Sequence, residues 1–138
     1  MVNRKFTLIN GDIEDVHAAI LDIFKDVTIL KDYQAPVVIH LEEVIPSGAH
    51  PIWNLALWQP TNTKGTVLFG NLQDGFTSVT WILNRNYKFK LTWIAVDFDI
   101  KNDEPEYGMF HSFHHFYADG RERLVRAMWD DRWDFYEE

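Results

Sequence analysis

The stretch from Tyr107 to Tyr136 constrains the fold more than any other part of the chain. Tyr107 to Tyr117 is dense in aromatic residues that suit a pleated strand, and Ala118-Asp119-Gly120 supplies the Asp-Gly pair of a tight hairpin. Arg121 to Trp129 then returns, Asp130-Asp131 turns again, and Arg132 to Tyr136 makes a third strand. The pattern predicts a three-stranded antiparallel meander, and the rest of the chain has to pack against it.

Upstream, Lys5 to Ile9 reads as a short strand closed by the turn dipeptide Asn10-Gly11. Asp12 is placed to cap a helix, with Glu14 and Asp15 in the first turn, where carboxylates favour the helix dipole. Ile13, Val16, Ile20, Ile23 and Phe24 then fall on one helical face, so a helix is predicted over about 12–25. Val27 to Leu30 and Val37 to Leu41 read as short strands, and Pro46 to Pro51 as a loop. Trp53 to Trp58 alternates as a strand ended by Pro60, and Thr66 to Phe69 is another.

The segment after Asp74-Gly75 fits two templates. As a strand it would pair back on 66–72 across that turn. As a helix it places Phe76, Val79, Leu83 and Tyr87 on one face, with Asp74 or Thr77 as cap. The helix, over about 76–86, is the favoured reading. Phe89 to Ile100 is a strand. The fold class is therefore α+β, a mostly antiparallel sheet with an N-terminal helix, a second helix and the C-terminal meander. With 138 residues and no repeat or linker, a single domain over 1–138 is expected.

Composition narrows the function classes. Hydrophobic residues make up 46% of the chain and aromatic residues 15%, enough for a core and unlike a disordered segment. No stretch nears the roughly 18 apolar residues of a membrane helix, and the N-terminus lacks the features of a signal peptide. Without cysteine there are no disulfides and no thiolate chemistry, so a cytoplasmic, non-membrane protein is expected. The net charge of −8 is concentrated in residues 97–138, where twelve acids face five bases. Such a field repels nucleic-acid backbones and attracts a basic protein.

No catalytic motif is complete. In Phe110 to Phe116, His111 and His115 share one strand face but stand roughly 13 Å apart, too far for one zinc, and His114 points to the other face. Counting an EF-hand from Asp97 puts Asn102 where glycine belongs and Gly108 where glutamate belongs, so that loop fails. No phosphate-cradling glycine loop or nucleophile elbow occurs. Arg121, Arg123, Arg126 and Arg132 alternate with Glu122, Asp130, Asp131 and Asp134, which predicts pairing within the meander. No cofactor and no metal site are expected, and a homo-oligomer remains compatible with the sequence.

The segment Asn71-Leu-Gln-Asp-Gly-Phe, a hydrophobic run and a strand lead to Arg123-Leu-Val-Arg-Ala-Met-Trp-Asp-Asp-Arg-Trp-Asp-Phe-Tyr-Glu-Glu. Over roughly residues 66–138 this resembles small bacterial immunity-type proteins, which neutralise toxins used between competing cells. The resemblance implies a small acidic cytoplasmic α+β protein that binds a basic toxin domain and has no catalysis of its own. The acidic, aromatic end of the chain is the expected contact surface, with Asp119, Glu122, Trp129, Asp130, Asp131, Trp133 and Asp134 as partner-binding residues. The competing reading is a ligand-binding or enzymatic domain with a cleft walled by Trp53, Trp58, Trp81 or Trp93.

Overall fold

The computed structural model describes residues 3–25, 55–70, 72, 74–97, 110–128 and 133–138. They form β1 (Asn3–Asn10), α1 (Ile13–Ile23), β2 (Leu55–Trp58), β3 (Gly65–Gly70) and α2 (Thr77–Tyr87). Next come β4 (Lys90–Asp97), β5 (Phe110–Phe116), β6 (Glu122–Met128) and β7 (Trp133–Glu137). The strands join in one sheet of order β2-β3-β1-β4-β5-β6-β7, antiparallel throughout. This is the α+β arrangement that the patterning predicts, with both helices and the meander β5-β6-β7 in place. The strands expected at 27–30 and 37–41, and the loop at 46–51, lie outside the described residues.

Period two gives the sheet two unlike faces. Thr7, Ile9, Leu68, Leu91 and Phe116 point to one face and meet Val16 and Ile20 of α1 and Val79 and Leu83 of α2 in the buried core. This is the helix face. Burying one Val, Leu, Ile or Phe side chain contributes about 1.5–3 kcal/mol, so the layer between helices and sheet dominates stability. Phe6, Leu8, Ile94, Phe113, Val125 and Phe135 alternate with these residues and point to the outer face.

Helix α1 starts where the sequence places it, but Asp12 makes no side-chain cap. Gln59 accepts the Ile13 N–H instead, at 3.3 Å. At α2 the helical reading is the one the chain adopts. Gly75 and Phe76 both take left-handed backbone, with φ of 67° and 60°, which turns the chain off the sheet instead of into a hairpin. The Asp74 carboxylate holds the bend by accepting the Phe76 N–H at 2.9 Å and the Thr77 hydroxyl at 3.0 Å. Phe76 then lays its ring over Gly70, where an added Cβ would sit 1.7 Å from Cε2. At the other end Asn84 donates to the carbonyls of Phe89 and Tyr117, both at 2.9 Å, tying α2 to β5. Among the described residues no helix is long and apolar enough to cross a membrane.

Candidate functional site

On the outer face, Ile94, Phe113, Val125 and Phe135 stand directly opposite one another across β4, β5, β6 and β7. The row continues inward through Phe6, which pairs with Ile94 and whose ring centroid lies 5.8 Å from that of Phe69. A second row, His111, Ala127 and Trp133, runs beside it. Both helices lie on the other side. Towards β7 the rows open to solvent, with Phe113 53%, Phe135 67% and Trp133 72% exposed. Large apolar side chains grouped in this way mark an interaction surface more often than a bare solvated one.

Among the described residues β7 is an edge strand of the sheet. Glu122 and Glu138 exchange both backbone hydrogen bonds, at 3.2 and 2.9 Å. Alternation then makes Leu124–Tyr136 and Arg126–Asp134 the next bonded pairs and directs the N–H and C=O groups of Trp133, Phe135 and Glu137 to the open edge. Trp133 and Phe135 therefore stand beside main-chain donors and acceptors that no other described strand pairs, the arrangement that accepts an added strand.

Much of the local charge is paired within the meander. Asp119 accepts the Arg121 backbone N–H at 3.1 Å and its side-chain Nε–H at 2.8 Å, and these bonds hold its carboxyl below the usual range. Arg123 bridges to Glu137 at 2.5 Å, directly across the sheet. Glu122 meets His114 Nε2 at 2.6 Å along a diagonal. Asp134 stands opposite Arg126, yet no salt bridge joins them.

The residues expected to form one contact surface are thus divided. Trp133 lies on the outer face, Glu122 and Asp134 on the helix face, and Asp119 at the hairpin tip. Trp129, Asp130 and Asp131 lie outside the described residues. The contact set expected from sequence leaves out Phe113 and Phe135, although strand parity carried the signal. Phe113 stands two residues from both His111 and His115, and Phe135 two from Trp133, so each pair shares a face.

On the helix face, α2 and strands β4–β6 line an open cavity of about 180 Å³. Thr77, Thr80 and Trp81 line it from α2, Trp93 from β4, His114 and Phe116 from β5, and Arg126 from β6. Trp81 packs edge-on against Phe116 at 5.7 Å, and His114 packs on Phe116 at 4.1 Å. Two of the four tryptophans named as cleft walls, Trp81 and Trp93, meet here. Trp58 points to the outer face on β2, and Trp53 lies outside the described residues.

His111 and His115 point to the outer face and His114 to the helix face, as strand alternation predicts. The Nδ1 of His115 lies 2.8 Å from the Thr92 hydroxyl, and its ring packs edge-on against Tyr117 at 4.6 Å. Partial burial, with Lys90 and Arg123 nearby, lowers the His115 pKa.

No protein-family model, curated protein or solved structure matches this chain. The functional reading therefore rests on the geometry.

Proposed function

We propose that the chain is a non-catalytic protein-binding module, an immunity-type inhibitor whose C-terminal meander docks a basic partner domain. The carrying observation is the row Phe113–Val125–Phe135, open to solvent beside Trp133 and the free edge of β7. An interface needs a desolvated aromatic centre and a charged rim that steers approach. The outer face supplies the first, and the acid excess of residues 97–138 supplies the second. The contact set proposed from sequence is revised accordingly. Phe113, Trp133 and Phe135 are the anchors, while Asp119, Glu122, Asp130, Asp131 and Asp134 provide the field, with Trp129 adjoining in sequence.

The test is protection in cells. The reading expects the neighbouring gene to encode a basic toxin domain, and the chain is co-expressed with that gene's product, as wild type and as Phe113→Ser with Phe135→Ser. The reading expects wild-type protection and loss of protection in the variant at unchanged expression and melting temperature. A stable variant that protects fully contradicts it.

A further inference from the structure

We propose that the cavity between α2 and strands β4–β6 binds a small organic acid, with its carboxylate on Arg126 and Trp93. Two lining side chains present buried nitrogens that have no hydrogen-bond partner, the Trp93 indole Nε1 and the Arg126 Nε. Ser112, which pairs with Arg126 across the sheet, leaves its buried hydroxyl unpartnered as well. Buried polar atoms are almost always satisfied, so the two orphaned nitrogens at the cavity call for a group that none of the described residues supplies.

The chemistry of the orphans selects the ligand. Indole and guanidinium nitrogens only donate, so the missing group is an acceptor, and an unpaired guanidinium favours an anionic one. The nearby carboxylates are otherwise engaged or turned away. Glu122 is taken by His114, and Asp74 by Phe76 and Thr77 at the start of α2. Asp134 is exposed and makes no ion pair with Arg126, whose side chain lines the cavity instead. Trp81, Trp93 and Phe116 make the walls aromatic, which suits a flat apolar body attached to the carboxylate. The volume of about 180 Å³ falls below the ~300–1,000 Å³ of drug-sized sites. That suits a ligand of about the size of benzoate. This site is on the opposite face from the docking surface and does not depend on it.

The experiment titrates the full chain with benzoate, benzamide and inorganic phosphate at constant ionic strength, followed by calorimetry and ligand-observed NMR. Benzoate should saturate at one site. Benzamide should bind about tenfold or more weakly, because it keeps the ring and loses the charge. Arg126→Gln should weaken benzoate about tenfold or more, and Trp93→Phe, which keeps a ring and removes the N–H, severalfold. Arg126 is only half-buried, so its variant reports even where Trp93→Phe fails to fold. The absence of saturable benzoate binding at tens of millimolar overturns the proposal. So does equal binding of benzamide or phosphate, or benzoate affinity unmoved by Arg126→Gln.

Discussion

Thr7 on β1 and Thr80 on α2 share a hydrogen bond of 2.8 Å, both side chains fully buried. The Thr80 hydroxyl proton goes to the Phe76 carbonyl at 3.2 Å, so Thr7 is the donor to Thr80. Replacing Thr80 with Val keeps the shape and strands the Thr7 hydroxyl. A loss of about 1–3 kcal/mol is expected, with the double Thr7→Val, Thr80→Val variant more stable than the two single losses add up to. Urea unfolding of the four proteins measures this, provided the m-values agree.

The Gly70–Phe76 contact predicts a larger effect. A Cβ at Gly70 would lie 1.7 and 2.1 Å from ring atoms of the buried Phe76, so Gly70→Ala must displace the ring that starts α2. The expected loss is about 1–3 kcal/mol or more, typical of overpacking. Shrinking Phe76 to Leu in the same chain should recover part of it, as thermal unfolding would show.

His115 predicts the pH dependence. Its folded pKa lies below the ordinary histidine value of about 6.5, so between the two the unfolded chain binds more protons and stability rises with pH. The contribution is complete above about 6.5 and is lost as the pH falls through the folded value. His115→Gln should flatten the stability curve on the acid side of neutrality. A slope unchanged by that substitution would place the titration elsewhere.

The strand geometry of the histidines bears on metals. His111 and His115 share the outer face four residues apart, which separates them by roughly 13 Å, and His114 faces the helices. Elemental analysis of tag-free protein should find no stoichiometric zinc or nickel. One equivalent per chain contradicts that expectation.

The helix of 13–23 was legible because its apolar residues recur at one period and no other. Residues 77–87 fitted both periods, and the deciding fact was the left-handed backbone at Phe76, a conformation no pattern of residue types announces for phenylalanine. The meander was legible from its Asp-Gly turn, where Gly120 takes φ of 92°. What alternation could not say is which face the helices would cover. That choice is made by the packing of Val16, Ile20, Val79 and Leu83, and it leaves Trp133 and not Asp134 on the uncovered face. Arg123 and Glu137 pair directly across two strands, as interleaved charges suggest. His114 and Glu122 meet on a diagonal that depends on register, which the sequence did not specify.

The central claim is that the outer face at β7 anchors a basic partner steered by the acidic end of the chain. The direct measurement is association and dissociation rates against that partner across a salt series. Added salt should slow association, as screening shortens the Debye length to about 8 Å at physiological ionic strength. Asp130→Lys, Asp131→Lys and Asp134→Lys together should lower the on-rate, while Phe135→Ala or Trp133→Ala should chiefly speed dissociation. An on-rate indifferent to salt and to the three reversals, with dissociation unmoved by either truncation, would contradict it.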